Sequence, residues 1–157
     1  MSQRLLSQPA PDFSLVNQSD EQVGLKDFRG SWLVLYFYPK DDTPSCTTEA
    51  CSIRDVWDEL TEMGVNVVGV SMDTPADHLK FKAKYNLNFT LLSDPRREVI
   101  DTYDAWGKKM FGREGILRKT YLIDPKGTIR KIYGRVTSDG HGTQLFEDLV
   151  ALQEQDA

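Results

Sequence analysis

From about residue 30 onward, hydrophobic residues fall alternately into short continuous runs and into longer stretches where they recur every three or four positions. The clearest run, residues 32–38, is rich in aromatic and β-branched residues, which is typical of a strand covered on both faces. Weaker runs at residues 65–70 and 90–92 predict two more strands. Strands of this kind, separated by helical stretches, indicate a mostly parallel sheet.

Turn and capping signals fill the remaining sequence. Residues 124–127 form a turn that suits two antiparallel strands at residues 119–123 and 128–133. The other predicted elements are an N-terminal β-hairpin formed by residues 9–15 and 21–25, a helix opening at Pro75, a helix starting at residues 93–95, and a closing amphipathic helix at residues 143–152. The order of elements predicts a three-layer α/β fold, a mixed central sheet flanked by helices.

The composition limits the possible functions. The sequence has 157 residues, of which 39% are hydrophobic, so we expect one domain spanning residues 1–157. A formal net charge of −5 argues against nucleic acid and anionic membranes as partners, since both need a basic surface. The longest apolar run is too short to cross a bilayer, and residues 1–8 lack the apolar segment of a secretory signal. We therefore expect a cytoplasmic protein.

The helix that follows the first strong strand carries a cysteine on its apolar face. Cys46, Ala50, Ile53, Trp57 and Leu60 recur at steps of three and four, which predicts that they share the buried side. The thiol lies in the first helical turn, just beyond the carboxyl end of a central strand, where open α/β sheets usually bind ligands. A helix N-terminus favours the thiolate form, because its backbone N–H groups are unpaired.

The pattern of cysteines and histidines leaves several interpretations open. Cys51 falls on the polar side of the helix, and either thiol could simply be a small buried side chain. A metal site or a cysteine–histidine hydrolase would need His78 or His141, but both stand in polar surroundings, so we expect them to be solvated and predict no metal. Four residues separate the two cysteines, so the motif is not that of a thioredoxin. Pattern alone indicates redox chemistry without fixing its type.

The residues around Cys46 carry a longer motif. Pro39, Thr43, Cys46 and Glu49 follow the spacing of the peroxiredoxin active-site signature, and Cys51 follows five residues after Cys46. Together with residues 37–38 and 54–55, this segment resembles the bacterioferritin comigratory protein (Q-type) subgroup of peroxiredoxins. The resemblance extends over nearly the whole chain, including residues 11–13, 89–94 and 118–124.

The resemblance implies a thioredoxin-like fold and thiol-dependent reduction of hydroperoxides, without a cofactor. Cys46 would be the peroxidatic nucleophile, which is oxidised to sulfenic acid. Cys51 would resolve this acid as an intramolecular disulfide, and thioredoxin or glutaredoxin would recycle it. We expect a small hydroperoxide as substrate, a role in antioxidant defence, and a monomer, because the surface pattern shows no long apolar stripe.

The resemblance also implies supporting roles for four residues. Thr43 would bind the peroxide and Pro39 would wall off the pocket, although the two could also be a helix cap and a chain breaker. Arg118 would stabilise the thiolate and the developing negative charge, and Glu49 would orient it. Ser45 stands where the subgroup commonly has glycine. Residues 108–115 are shorter than the same stretch in many relatives, which could open one wall of the pocket.

Two rival functions follow from the same sequence. A general thiol–disulfide oxidoreductase would have the same fold, but it has no need of a peroxide-binding pair such as Thr43 and Arg118. A degenerate thioredoxin-like binding domain would have incidental cysteines, whereas this chain keeps every residue of the signature.

Overall fold

A mixed β-sheet forms the centre of the protein. The structure is a computed structural model and describes residues 3–157, so Met1 and Ser2 of the expected domain lie outside the described residues. The strands in chain order are β1 (Ser14–Asn17), β2 (Gln22–Gly24), β3 (Trp32–Phe37), β4 (Val65–Ser71), β5 (Thr90–Ser93), β6 (Trp106–Lys108), β7 (Glu114–Ile116), β8 (Lys119–Ile123) and β9 (Ile129–Tyr133).

Helices connect these strands. They are α1 (Pro44–Asp55), α2 (Trp57–Glu62), α3 (Pro75–Tyr85), α4 (Glu98–Thr102) and α5 (His141–Asp156). The helix predicted from Pro75 is confirmed, and the closing helix is longer than predicted. α4 begins three residues beyond Pro95, after Arg97 adopts a left-handed conformation at the N-cap. No helix among residues 3–157 is long and apolar enough to cross a bilayer.

The strand order explains the sequence pattern. Among the described residues the main sheet runs β2-β1-β5-β4-β3-β8-β9, with β3, β4 and β5 parallel and the other pairings antiparallel. The predicted N-terminal hairpin exists as β1 and β2, and β1 extends the main sheet by pairing with β5. The predicted antiparallel pair, β8 and β9, is also confirmed.

Both faces of β3 are buried. Trp32, Val34 and Tyr36 pack with one apolar cluster, to which α1, α2, α3 and α5 contribute, whereas Leu33 and Leu35 pack with a second cluster that includes α4 and the N-terminal segment. Because successive strand residues face opposite layers, a strand covered twice must be apolar throughout. The three-layer arrangement predicted from the sequence is therefore present.

The first helical segment differs from the prediction at one point. The spacing from Cys46 to Leu60 predicts one helix, but α1 ends at Asp55 and α2 begins after Val56, which has φ −110° and ψ 7°. The amide of Val56 donates to the carbonyl of Ile53 rather than to a carbonyl four residues back. Val is a modest helix former, and this tighter turn redirects the chain while Leu60 stays fully buried.

Candidate active site

The connection from β3 to α1 brings the predicted loop residues to the helix start. Thr43 is the N-cap of α1, with extended backbone angles, and Pro44 occupies the first helical position, where a missing N–H costs nothing. The Thr43 hydroxyl donates to the carbonyl of Lys40 at 2.9 Å and makes no capping bond to α1. Thr43 therefore takes the N-cap position expected of a capping residue, but its side chain tightens its own loop instead of bonding to the helix.

Arg118 joins Cys46 to Glu49. It precedes β8, which pairs with β3, so its side chain reaches the start of α1. Its Nη2 donates to Cys46 Sγ at 3.4 Å and its Nη1 donates to Glu49 Oε1 at 2.6 Å. The Cys46 side chain is buried, with 2% exposure. The planar guanidinium thus donates one hydrogen bond to the thiol and one to the carboxyl group, as the resemblance implies for these residues.

Glu49 is fully buried, and only one of its oxygens is paired. Oε1 accepts from Arg118, whereas no described residue hydrogen-bonds Oε2. Burial raises the pKa of Glu49 to about 7, although the Arg118 charge pulls in the opposite direction. Burial also raises the pKa of Tyr36, whose hydroxyl has no hydrogen-bond partner among residues 3–157 either, and the charges of Glu49 and Cys46 add to this shift. The pKa of Glu49 therefore lies close to neutral pH.

Cys51 lies on the same helix as Cys46, and the two thiols are free. Cys51 is half-buried, whereas Cys46 is enclosed. Five residues of ideal α-helix separate their Cα atoms by about 8.7 Å and rotate them by about 140° around the axis. This separation exceeds the limit of about 7 Å for a disulfide, so the present conformation holds both cysteines as thiols.

A cationic cleft adjoins Arg118. It has a volume of about 580 Å³ and is lined by Lys108, Lys109, Leu117, Arg118, Gly134, Arg135 and Val136. Residues 108–115, which the sequence led us to expect to be shorter than in many relatives, lie in the hairpin of β6 and β7, and Lys108 and Lys109 line one wall of the cleft. Burial lowers the pKa of Lys109, and the charge of Arg118 lowers it further. The cleft thus combines positive charge with two apolar side chains.

Both histidines are buried, so the prediction that they are solvated is wrong. His78 is 0% and His141 is 1% exposed. His141 Nε2 lies 2.8 Å from Thr120 Oγ1, and its Nδ1 lies 2.9 Å from Gln144 Oε1. Burial lowers the pKa of His141. His78 lies three residues before Phe81, so the two share the buried side of α3. This spacing indicated a buried histidine, but the polar residues around His78 in the sequence obscured it.

His78 also has a polar partner that the sequence did not indicate. Ligand atoms of Asp41, Asp73 and His78 lie within 4.8 Å of one another, a group that could in principle hold a metal ion. However, His78 Nδ1 lies 2.6 Å from Asp41 Oδ2, closer than the roughly 3 Å that separates two ligands of one zinc ion. His78 Nε2 faces the carbonyl of Leu92 at 3.1 Å. In this structure these groups hydrogen-bond one another.

Comparisons with known proteins agree on one family. The model of the AhpC/TSA family matches residues 6–132. Peroxiredoxin Bcp of Bacillus subtilis (strain 168) is 42% identical over 96% of this chain and 98% of its own length, and peroxiredoxin Bcp of Escherichia coli (strain K12) is 45% identical over 84% of this chain and 86% of its own.

Solved structures give the same result. Peroxiredoxin Q of Xanthomonas campestris superposes with a TM-score of 0.84 at 34% identity, covering 88% of this chain and 90% of that one. A second structure from this organism concerns the alkyl peroxide reduction activity of its bacterioferritin comigratory protein. A cysteine-to-serine mutant of Xylella fastidiosa PrxQ superposes with a TM-score of 0.86 at 31% identity, covering 98% of this chain and 94% of that one.

The thioredoxin-like fold and the peroxiredoxin resemblance are thereby confirmed. The family acts with a thiol reductant on a peroxide substrate. This chain belongs to the AhpC/TSA family and is, like the Bcp and PrxQ peroxiredoxins that it matches, a thiol-dependent peroxidase.

Proposed function

We propose that Cys46 is the peroxidatic nucleophile of this peroxidase. Its thiolate attacks one oxygen of a hydroperoxide, the O–O bond breaks, and the other oxygen leaves with a proton as water or alcohol. Cys46 is then a sulfenic acid. The observation that carries this assignment is the Arg118 fork, which contacts Cys46 Sγ at 3.4 Å and supplies fixed positive charge where negative charge spreads over the breaking bond.

Three other residues support this step. The Thr43 hydroxyl donates its proton to the carbonyl of Lys40, which leaves the lone pairs of its oxygen free to accept a hydrogen bond from the peroxide. Pro39 follows Tyr38 at the end of β3 and shields the thiolate from water. Glu49 holds the second arm of Arg118 and so fixes the plane of the guanidinium.

The cleft beside Arg118 suits both hydrogen peroxide and organic hydroperoxides. Its cations face the polar end of a substrate, and Leu117 and Val136 offer an apolar surface to an alkyl group. The alkyl peroxide activity described for the Xanthomonas campestris relative supports the same range here.

Cys51 acts as the resolving thiol. It attacks the sulfur of the Cys46 sulfenic acid, a disulfide forms within one chain, and water leaves. Thioredoxin, or glutaredoxin in its place, then reduces this disulfide with its own dithiol. Because both thiols lie on α1, the cycle needs no second subunit, which supports a monomer consisting of one domain. Two free thiols also fit a reducing compartment, so we place the enzyme in the cytoplasm as part of antioxidant defence.

A coupled assay tests the proposal. Consumption of NADPH is followed with thioredoxin, thioredoxin reductase and either hydrogen peroxide or cumene hydroperoxide, and a parallel series contains glutaredoxin and glutathione. We expect peroxide-dependent consumption that the Cys46→Ser variant loses. Insulin reduction without peroxide turnover would instead identify a general thiol–disulfide oxidoreductase, and the absence of both signals would identify a binding domain. Sedimentation of the reduced protein tests the monomer.

A further inference from the structure

The loop that carries Pro39 and Thr43 is fastened to α3. We call residues 38–43, between β3 and α1, the active-site loop. Its two consecutive acids, Asp41 and Asp42, both contact side chains of α3. Asp41 is almost completely buried and meets His78, whereas Asp42 is exposed and meets Lys84 and Tyr85.

Asp41 is the centre of a buried network. Its Oδ2 lies 2.6 Å from His78 Nδ1, its Oδ1 accepts from the Tyr38 hydroxyl at 2.5 Å, and its backbone amide donates to Asp73 Oδ2 at 2.9 Å. Asp41 is thus held from three sides, at both oxygens of its side chain and at its backbone amide. Both oxygens of its carboxyl group are used, and no solvent is needed to satisfy them.

His78 closes this network with both ring nitrogens. Nδ1 faces Asp41, and Nε2 faces the carbonyl of Leu92 in β5, which can only accept. Nε2 therefore carries a proton, and a second proton lies between Nδ1 and Asp41 Oδ2. Whichever of these two atoms holds it, the pair has no net charge, which makes complete burial tolerable.

The next residue shows that the loop is held in a costly conformation. Asp42 has φ +58°, the left-handed region that residues with a Cβ atom rarely adopt. Lys84 Nζ donates to one of its carboxylate oxygens at 2.8 Å and the Tyr85 hydroxyl donates to the other at 2.7 Å. Thr43 follows directly, so the contacts from α3 set the direction in which the chain enters the N-cap of α1.

We infer that His78 is a positioning residue of the peroxidase, which acts through Asp41 to hold the active-site loop, with its Pro39 and Thr43, in place against the start of the helix that carries Cys46. This inference rests on the proposed function for its effect on catalysis. His78 does not touch the thiol, and its contribution is to remove alternative conformations of the loop before the peroxide arrives. Small displacements of a positioning group can reduce a rate by as much as about a hundredfold.

Two substitutions of His78 separate this role from simple packing. In His78→Asn, the side-chain nitrogen lies at the same place on the chain as Nδ1 and can still donate to Asp41, but the bond to Leu92 is lost. In His78→Gln, the nitrogen lies near the place of Nε2 and can donate to Leu92, but the bond to Asp41 is lost. Each variant removes one buried hydrogen bond, so each should be destabilised to a similar extent.

Three measurements are made on both variants and on the unmodified protein. They are the rate of Cys46 oxidation by hydrogen peroxide, the rate of Cys46 alkylation by iodoacetamide, and amide hydrogen exchange in residues 41–43. Alkylation needs an accessible thiolate but no peroxide site. We expect His78→Gln to lower the peroxide rate about tenfold or more, to leave alkylation nearly unchanged and to speed exchange in the loop. His78→Asn should keep all three close to their original values.

Equal losses in the two variants would overturn the inference, because both would then report lost packing alone. Unchanged peroxide rates together with unchanged loop exchange in His78→Gln would overturn it as well. If the unmodified protein fails to react with peroxide, the proposed function fails, whereas hydrogen exchange still decides whether His78 holds the loop through Asp41.

Discussion

Gly142 in α5 packs directly on the backbone of Ser52 in α1. Its amide donates to Ser52 Oγ at 3.1 Å, and a Cβ atom added to Gly142 would lie 2.0 Å from the Ser52 carbonyl oxygen. Only a glycine allows two helices to approach this closely without displacing backbone. The contact lies one residue beyond Cys51, so it fixes the C-terminal half of the helix that carries both thiols.

The first prediction concerns this contact. Gly142→Ala should lower the free energy of unfolding by about 1–3 kcal/mol, because α1 and α5 must move apart to admit the methyl group. Helix propensity alone would have the opposite effect, about 1 kcal/mol of stabilisation. Urea unfolding of the reduced protein measures the difference, and Thr143→Ala, at the exposed next position of α5, is the matched control. An equally stable Gly142→Ala variant would show that the helices do not meet as described.

The second prediction concerns the two thiols. Cys46→Ser should lose peroxidase activity altogether, because its hydroxyl does not attack the O–O bond. Cys51→Ser should react once with peroxide at nearly the original rate and then stop, since the sulfenic acid has no partner in the chain. Single-turnover and steady-state rates with thioredoxin separate these cases. Sustained turnover of Cys51→Ser at the original rate would mean that Cys51 is not the resolving thiol.

The third prediction concerns Arg118. Arg118→Ala should slow the reaction of Cys46 with hydrogen peroxide by on the order of a hundredfold, because a fixed donor is lost where charge develops. Arg118→Lys should also be slow, since an ammonium group cannot contact Cys46 and Glu49 with the same planar fork. Arg113→Ala is the control, because Arg113 is an exposed residue in the β6–β7 connection. Equal effects at positions 113 and 118 would contradict the assignment.

The sequence was sufficient for the elements that depend on local pattern. The continuous apolar run of β3 predicted a strand covered on both faces, and the turn at residues 124–127 predicted the antiparallel pair of β8 and β9. Strands β6 and β7 were missed because each has three residues, too few for a periodic signal. The bend at Val56 was missed because the spacing of apolar residues continues across it.

Only part of the site could be predicted from the sequence, because several of its residues lie far apart along the chain. Cys46 and its helix follow from local pattern, but Arg118 was assigned through family resemblance, and it lies 72 positions away. Asp41 and His78 are 37 positions apart and meet only because α3 packs over the active-site loop. Polar neighbours in sequence suggested a solvated histidine, and only the packed structure shows that its partners are buried.

The fourth prediction concerns pH. Burial raises the pKa of Glu49 from its ordinary value of 4.5 to about 7, so the folded protein binds more protons than the unfolded chain between these values. The stabilisation by protonated Glu49 is therefore complete below about pH 4.5 and is lost as the pH rises through about 7. Glu49→Gln cannot titrate, but its oxygen can still accept from Arg118.

Unfolding free energies of the two proteins from about pH 5 to about pH 8 test this directly. The unmodified protein should lose stability relative to Glu49→Gln as the pH rises, by on the order of 3 kcal/mol. The other titrating groups, including His141, are common to both proteins and cancel in the difference. Parallel curves would show that Glu49 is ionised throughout this range.

The last prediction is that oxidation unwinds the first half of α1. Cys46 and Cys51 cannot form a disulfide at a helical Cα separation of about 8.7 Å, so at least one of them must leave the helix. The N-terminal half is suited to this, because Thr47 and Thr48 are modest helix formers and the active-site loop precedes it. Amides within residues 46–54 should lose hydrogen-exchange protection in the disulfide form, with identically treated Cys51→Ser as the control.

The contact between Ser52 and Gly142 should limit this unwinding. Gly142 lies in the first turn of α5, where its amide has no partner within the helix and donates to Ser52 Oγ instead. Its exchange rate therefore reports whether Ser52 stays in place, and we expect the rate to be the same in the reduced and disulfide forms. Because Ser52 is then held while the first half of α1 unwinds, the new disulfide forms next to a fixed point and becomes exposed to the reductant. Unchanged protection across residues 46–54 would exclude unwinding, and loss of protection at Gly142 would show that α1 detaches from α5 as a whole.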